Sequence, residues 1–215
     1  ENAQAALPLW HAAKEAIPDA LIAVRLPFDS STPAEVEALA RAGVEIVHLT
    51  ADEVGQVENS TQFVSDALRE VHEHLVSCRL RDAISLVVSG GIASAEHMPK
   101  AIICGADAVA VDYTLLIGLG CALWADTRHP CKVEDGKIDA EWGAQRLVNL
   151  MSAWRDQLLE AMGAMGIREI RRVRGELGRA IFYCDEEKSF RSQFTENSNG
   201  SCPTPLLKPG VNEGE

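Results

Sequence analysis

The sequence predicts an α/β fold built on a parallel sheet, and two observations support this prediction. Four short apolar runs alternate along the chain with segments of helical character. The runs are apolar almost without interruption, which is typical of strands in a parallel sheet whose two faces are both covered. Such alternation gives either a doubly wound sheet or a (β/α)8 barrel. The four predicted strands are 21–26, 44–49, 84–88 and 108–111.

The helices between these strands carry start and stop signals. Thr32 and Glu35 form a capping-box pattern, with Pro33 at the first helical position. That helix is predicted to end before Gly43, because glycine accepts the left-handed conformation that terminates helices. Ser94 is a candidate cap for a later helix. The other predicted helices are 62–78, 95–104 and 140–165.

The loop after the third strand favours the barrel over the doubly wound sheet. No GxGxxG sequence follows the first strand, as a dinucleotide-binding sheet would require. Ser89-Gly90-Gly91-Ile92 follows the third strand instead, and a helix begins after the fourth, near Asp112. In parallel barrels the loops after strands seven and eight form a phosphate site of this kind. The predicted fold class is therefore α/β, the C-terminal half of a parallel (β/α)8 TIM-type barrel followed by helices.

The chain is predicted to divide into three regions. Residues 1–135 form the half barrel with its last four strands, and 136–184 form a C-terminal helical extension. Residues 185–215 are rich in Glu, Ser, Asn, Pro and Gly, which predicts a disordered or extended tail. Four strands cannot close a barrel of eight. We therefore expect the missing N-terminal half-barrel, or a second copy in a homo-oligomer, to cover the open sheet edges.

Charge excludes one class of partner. The formal net charge is -12, whereas nucleic acids are bound through clustered lysines and arginines, so no nucleic-acid partner is expected. One basic run extends from Arg168 to Arg179, on a predicted helix. Glu169 and Glu176 interleave with its arginines, which predicts a solvated or salt-bridged face in preference to an anion site.

The cysteines and the apolar runs bear on location. Six cysteines are scattered without tight pairing, which fits a reducing compartment. Cys78 and Cys104 lie in apolar helical segments and are predicted to belong to the core. No apolar run is long enough to cross a bilayer, and the amino end does not resemble a secretory leader. No membrane partner and a cytoplasmic location are expected.

Several motifs follow one another in the middle of the chain. VVSGGI stands at 87–92, GADAV at 105–109 and LLIGLGC at 115–121, with HMPKA at 97–101 between the first two. Leu80-Arg81-Asp82 precedes them. The SGG and GAD motifs are shared by many phosphate-binding barrels, but their order together with the LGC ending is much more specific. Over residues 60–125 the sequence resembles the FMN-binding barrel domain of glutamate synthases and glutamate-synthase-related proteins.

The resemblance implies an FMN-dependent oxidoreductase domain that transfers electrons to an unidentified acceptor. The Ser89 loop would hold the FMN phosphate, and the loop at Asp112 would hold its other side. Arg25 falls where the family places a basic residue near the pyrimidine edge of the flavin, although an ion pair at a strand end is an equal alternative. The cofactor-binding residues implied in this way are Arg25, Ser89, Gly90, Gly91, Ile92, Asp112, Tyr113 and Thr114.

The loop after the second strand departs from the family pattern. The family has a glycine-rich loop there, whereas this chain has residues 48–55 with His48 and Asp52. These two side chains are the candidate catalytic residues, as an acid/base pair acting on a small-molecule substrate. A histidine at a strand end that bonds only to the backbone is the alternative.

The resemblance also raises the question of an iron–sulfur cluster. Full glutamate synthases carry three cysteines after the last strand, and here Cys121 alone stands at a matching place. Thr127 replaces the second ligand, and Cys131 is displaced by one residue. Because a hydroxyl does not replace a thiolate ligand without weakening a cluster, no metal site is predicted.

Asp112 sets two effects against each other. Gly90 and Gly91 leave backbone N–H groups free for a phosphate, yet an aspartate that caps the next helix competes for its amides and repels the anion. FMN is therefore expected to bind, but more weakly than in relatives with glycine at this position. Two alternatives stay open: a non-catalytic scaffold that has lost the flavin, and a phosphate-sugar isomerase or synthase barrel without redox chemistry.

Overall fold

The structure, a computed structural model, describes residues 2–58, 60–121 and 138–179. The chain divides into two compact units, Glu1–Leu177 and Gly178–Glu215, and the candidate site lies within the first. The predicted tail 185–215 lies outside the described residues. The division into 1–135 and 136–184 stays a prediction, because residues around the first boundary are not described either.

In the described ranges, four parallel strands and six helices follow the order that the sequence predicts, which confirms the α/β half-barrel class. The sheet order is β1-β2-β3-β4, so β1 and β4 form its edges. The strands are β1 (Ala23–Pro27), β2 (Ile46–Thr50), β3 (Ser85–Ser89) and β4 (Ala108–Val109). The helices are α1 (Ala3–Ala16), α2 (Thr32–Arg41), α3 (Val64–Ser77), α4 (His97–Ile103), α5 (Tyr113–Gly118) and α6 (Ala140–Ala164). Short 3-10 turns occupy Arg81–Ala83, Ile170–Val173 and Leu177–Arg179.

The end of α2 explains why β2 begins two residues later than predicted. Gly43 adopts a φ of +91°, as expected of a helix-terminating glycine. The next N–H group, that of Val44, donates to the carbonyl oxygen of Leu39 at 3.0 Å. This bond is part of a Schellman-type helix end. Val44 therefore belongs to the turn, and the sheet ladder begins at Ile46.

The predicted capping box at Thr32 is wrong. Ser31 occupies the N-cap position of α2 without a side-chain cap bond. The Thr32 hydroxyl instead accepts from the N–H of Asp29 at 2.7 Å, and Glu35 accepts from the N–H of Ala3 at 3.1 Å. The tight turn before the helix and the packing of α1 take these groups, a competition that the local motif does not reveal.

The predicted cap at Ser94 is wrong as well. The helix α4 begins at His97, and the Ser94 hydroxyl has no hydrogen-bond partner in the described part of the chain. The later start places Pro99 within the first helical turn. Proline is tolerated there because that turn's N–H groups have no helical acceptor in any case.

The two faces of the sheet differ in burial. The side chains of Val24, Leu49 and Leu86 lie on one face and are fully or almost fully buried under the helices. On the other face, which would be the inner face of a complete barrel, Arg25 and Ser85 are exposed. The sequence predicts cover on both faces, but among the described residues the helices cover only one.

The Leu80-Arg81-Asp82 and GAD motifs meet behind the sheet. The Arg81 guanidinium is buried and pairs with the Asp107 carboxylate at 2.6 Å, and that carboxylate also accepts from the N–H of Leu86 at 2.8 Å. Arg174 forms ion pairs with both Asp107 and Asp82. A salt-bridged face was expected for this basic run and is confirmed at Arg174, but 3-10 turns replace the predicted helix. These motifs therefore join the turn before β3, the start of β4 and the 3-10 turns after α6, and their charged groups pair with one another.

The helix α6 packs on the loop that follows β3. Trp154 forms a buried apolar cluster with Ile92 and Ala95, against which Leu150 also packs. The predicted helix over 140–165 is confirmed to within one residue. Within the described ranges, no helix combines the length and the apolar character that a membrane crossing requires.

Candidate functional site

The candidate site lies where the carboxyl ends of the four strands meet. The loop after β3 contains Ser89-Gly90-Gly91-Ile92, and the loop after β2, residues 51–63, lies beside it. Parallel strands place their carboxyl ends on one edge of a sheet, which is where ligands of such folds bind. The sequence-predicted residues are thereby brought to one edge.

Three consecutive backbone N–H groups form the core of the site. Those of Gly90, Gly91 and Ile92 donate to no acceptor within the part of the chain that the structure describes. Gly90 and Ile92 are buried, and φ is +99° at Gly90 and +68° at Gly91. Buried N–H groups are almost always paired with a protein group, water or a ligand. This cradle, residues 90–92, therefore has the donors that an anion requires.

The same two glycines also allow the neighbouring loop to approach. A Cβ atom at Gly90 would lie 2.6 Å from the carbonyl oxygen of Ala51, and one at Gly91 would lie 2.7 Å from the Cα atom of Gly55. Any side chain at either position would displace the loop after β2. The glycines thus serve packing and donor exposure at once.

His48 pairs with Ser89 across the ends of β2 and β3. Its Nε2 atom lies 2.9 Å from the Ser89 hydroxyl, and the direction of this hydrogen bond depends on the tautomer. Burial lowers the pKa of His48 below its usual value, the Arg25 cation lowers it further, and Asp112 opposes both. The imidazole is therefore neutral at pH 7, and its side chain orients the first residue of the phosphate loop.

The proposed acid/base pair of His48 and Asp52 is not formed in the structure. Asp52 accepts hydrogen bonds from the N–H groups of Val54, at 3.0 Å, and Gln56, at 2.7 Å. No hydrogen bond joins it to His48 among the described residues. An aspartate directly after a strand readily bonds to the backbone of its own turn, and this local use has prevailed here.

The side chains that follow β4 form hydrogen bonds within the protein, to α5, to Ile92 and to the loop after β2. Asp112 caps α5 by accepting from the N–H of Tyr113 at 2.7 Å, as predicted. The buried Thr114 hydroxyl donates to the carbonyl oxygen of Ile92, so this proton is not available to a phosphate. The Tyr113 hydroxyl donates to Glu53 at 3.2 Å and joins α5 to the loop after β2.

Three carboxylates act on the Tyr113 hydroxyl at the start of α5. Burial raises the pKa of Tyr113 above its usual value, and so do its hydrogen bond to Glu53 and the charges of Asp112 and Asp52. The side chains after β4 and in the loop after β2 therefore bring negative charge to this end of the sheet. On the opposing side, Arg25 makes no ion pair or hydrogen bond within the described ranges. The ion pair expected as its alternative role is absent there.

These observations test the site against FMN. The row of free N–H groups and the glycine conformations fit a phosphate, whereas the three carboxylates repel it. Helix α5 has only six residues, so it adds little positive potential. The residues fit the group by hydrogen bonding and oppose it by charge. The prediction that no cluster binds at Cys121 stays untested, because Cys131 lies outside the described residues.

A cavity lies at the ends of β1 and β2, lined mostly by the loop after β2. Its volume is about 640 Å³, and its lining contains Asp52 and Glu58 but no lysine or arginine among the described residues. Sequence reasoning missed this cavity and the Tyr113–Glu53 bridge, whose partners lie 60 residues apart. It also missed that Trp154 buttresses Ile92. The only sequence signal for the contact between Trp154 and Ile92 is the apolar stripe of the helix, and a stripe does not show which residues pack against it.

Comparisons with known proteins agree with this geometry. Residues 14–168 match the family described as a conserved region in glutamate synthase. The archaeal glutamate synthase (NADPH) of Methanocaldococcus jannaschii is 36% identical over 124 residues, 53% of this chain and 24% of that protein. The archaeal-type enzyme of Dehalococcoides mccartyi is 31% identical over 172 residues, 72% of this chain and 34% of that protein. The chain thus spans about a third or less of the length of these curated relatives.

Solved structures share the fold. The recombinant flavin-binding domain of flavocytochrome b2 from baker's yeast superimposes with a TM-score of 0.55 at 17% identity, covering 91% of this chain and 45% of that one. A flavocytochrome b2 variant with bound sulfite gives a TM-score of 0.53 at 16% identity, over 91% and 46%. At these identities the likeness concerns the fold alone. The family match over most of the chain, on the half-barrel that its motifs predict, shows that this chain belongs to the glutamate synthase family.

Proposed function

We propose that this chain is the C-terminal half of the flavin-binding barrel of a glutamate synthase-type oxidoreductase, and that FMN binds by its phosphate to the 90–92 cradle. The observation that supports this most directly is the row of three N–H groups without an acceptor among the described residues, two of them on buried residues. Charge-assisted hydrogen bonds to such donors are shorter and stronger than neutral ones. Bound FMN would supply the redox chemistry, with electrons passing to an acceptor that is not yet identified.

The other side chains have positioning roles in this proposal. His48, neutral at pH 7, holds the Ser89 side chain at the start of the cradle. Arg25 lies opposite His48 in the sheet register and has a free cation in the described structure. A fixed positive charge there would stabilise negative charge on the reduced flavin. Asp52 shapes the loop that borders the 640 Å³ cavity, which is the proposed place for a small-molecule substrate.

A second polypeptide segment is part of the proposal. The inner face of the sheet carries exposed side chains, and both β1 and β4 are edges. Because open edges and uncovered faces invite pairing, we propose that the N-terminal half of the barrel, or a second copy of the chain, covers them. Sedimentation at low micromolar concentration should then show a dimer or a complex, whereas a compact monomer would count against this part. We place the protein in the cytoplasm, where a thiol such as that of Cys78 stays reduced.

The test of the flavin site is a titration of the full chain, with its covering half where that is required, by FMN and by riboflavin. If the cradle binds the phosphate, FMN should bind at least ten times more tightly than riboflavin, which lacks it. Gly91→Ala should weaken FMN binding at least tenfold, because its Cβ atom meets Gly55. The matched control is Gly43→Ala, at a residue that also has positive φ but has open space around it and lies outside the site. Equal affinities for FMN and riboflavin would remove the cradle from the proposal.

A second candidate function is a barrel scaffold that has lost the flavin. The three carboxylates Asp52, Glu53 and Asp112 near the cradle favour it, because each opposes an anion. In that case neither flavin would bind saturably, although the protein would still assemble. Saturable binding of inorganic phosphate without flavin binding would instead indicate a non-redox phosphate-binding barrel.

A further inference from the structure

Three potential metal ligands converge outside the flavin site, between two helices that cover the sheet. Glu37 lies on α2, while His74 and Cys78 lie one turn apart at the end of α3. The His74 Nε2 atom lies 2.7 Å from Glu37 Oε2 and 3.8 Å from the Cys78 thiol. One ligand atom from each residue falls within 4.8 Å of the other two.

We propose that Glu37, His74 and Cys78 form a binding site for a borderline divalent cation, Zn²⁺, on the outer helix layer. The ligand set combines one imidazole nitrogen, one thiolate and one carboxylate oxygen, which are the donors that zinc takes in proteins. In a tetrahedral zinc site, sulfur and nitrogen ligands lie roughly 3.5 Å apart, given their usual bond lengths. The observed separation of 3.8 Å is close to this value. Water would occupy the fourth position.

An ion pair with Arg41 orients the Glu37 carboxylate. Its Oε1 atom pairs with the Arg41 guanidinium at 2.7 Å, which leaves Oε2 directed at His74. The contacts with Arg41 and His74 together hold this carboxylate in one orientation. Arg41 acts as an outer partner that orients a ligand, as such groups do in metal sites. Its positive charge also limits the affinity of the site.

The end of α3 adds a favourable potential. Cys78 is the C-cap residue of this 14-residue helix, so it lies at the carboxyl end of α3. The carboxyl end of a helix favours cations. Helical spacing places His74 and Cys78 on the same side, and α2 packs against it. The thiol is only partly buried, so the sequence prediction that Cys78 belongs to the core is wrong, whereas the buried Cys104 confirms its own.

One distance in the cluster is shorter than a zinc site requires. The 2.7 Å between the imidazole and carboxylate is a hydrogen-bond distance, whereas two ligands of one zinc ion are roughly 3.3 Å apart. Metal binding would therefore replace this hydrogen bond with two metal bonds and would move the side chains apart by about half an ångström. A shift of that size needs side-chain rotation alone, because all three residues are partly exposed.

The test is metal titration of the full chain under reducing conditions. Zn²⁺ should bind by calorimetry, and Co²⁺ should give the thiolate-to-cobalt absorption of a sulfur-ligated site. Cys78→Ser and His74→Gln should each weaken the zinc affinity at least tenfold, and Cys78→Ser should abolish the absorption. The matched control is Glu73→Gln, which removes an exposed charge next to His74 and should leave the affinity unchanged.

A second measurement distinguishes this site from the other cysteines of the chain. Zn²⁺ should protect Cys78 from alkylation at least tenfold, read peptide by peptide by mass spectrometry. Protection of Cys78 that His74→Gln removes would support the site. Unprotected Cys78, or zinc affinity that neither substitution changes, would overturn it. Neither readout requires FMN, so the result is independent of the flavin proposal.

Discussion

The two faces of the sheet, covered and inner, differ in how far the described residues bury their side chains. On the covered face, leucines such as Leu49 and Leu86 have no exposed surface, and the buried Arg81–Asp107 pair joins β4 to the turn before β3. On the inner face, Arg25 and Ser85 are exposed although both belong to paired strands. Among the described residues, helices bury the covered face, whereas the inner face carries Arg25 and the other exposed side chains. We therefore expect substitutions on the covered face to change stability most, and substitutions near the proposed flavin site to change binding.

The largest effect should come from breaking the ion pair behind the sheet. Asp107→Ala leaves the buried Arg81 cation without its carboxylate, and breaking such a pair costs about 3–5 kcal/mol. The midpoint of denaturant unfolding should fall accordingly. The control is Arg171→Ala, which removes an exposed ion pair with Glu169 and should leave the midpoint unchanged. Equal midpoints in all three proteins would show that the pair does not hold the covered face.

Two adjacent residues of β3 point to opposite faces, so substituting each of them compares the two faces within one strand. Leu86→Ala creates a cavity on the covered face and should cost about 2–5 kcal/mol of unfolding free energy. Val87, the next residue, points to the inner face and is only half-buried. Val87→Ala should cost about 1 kcal/mol or less in this chain alone, and more in the assembly that we propose. Similar losses from the two substitutions in the isolated chain would contradict the difference between the faces.

Removing the Asp112 carboxylate should change the affinity of the proposed site for FMN. Asp112→Gly should tighten FMN binding about tenfold, or roughly 1.4 kcal/mol, because the nearby negative charge is lost. Asp112→Asn keeps an acceptor for the N–H of Tyr113 while removing the charge. It should therefore give most of the same gain. Unchanged FMN affinity in both variants, by titration of flavin fluorescence, would show that this carboxylate does not oppose the phosphate.

The smallest expected effect is a dependence of stability on pH. Burial, and then the charges of Arg81 and Arg174, lowers the pKa of His72 in the folded protein. A histidine whose folded pKa is lowered binds a proton more readily when unfolded, so its contribution is present above about pH 6.5 and is lost as the pH falls from there toward the folded value. The urea midpoint should therefore decrease between pH 7.5 and pH 5.

His72→Gln should flatten that decrease, because glutamine keeps an acceptor for the Arg81 side chain but does not titrate. His11→Gln serves as the control, since this side chain lies on α1 and is exposed. If the slope of the midpoint against pH were the same in the His72 variant as in the original protein, another group would have to account for it.

The sequence by itself determined the features that depend on neighbours along the chain. Alternating apolar runs and helical periodicity predicted the parallel α/β order, Gly43 marked the end of α2, and the cap by Asp112 was predicted from its place before a helix. The order of the motifs predicted the family. Each single strand, turn or cap signal lies within a short stretch of the chain, which is the range over which backbone preferences and turn chemistry act, and the alternation and the motif order are read from the succession of such stretches.

Only the tertiary structure decided which side chains meet. His48 pairs with Ser89 41 residues away and not with the nearby Asp52, and Glu37 meets His74 37 residues away. A polar side chain bonds to whichever group the packing of the elements brings within reach, and periodicity carries no information about that choice. The same reason explains why Thr32 and Ser94 do not cap their helices: a competing partner or a shifted helix start outweighed a local preference of about 1 kcal/mol.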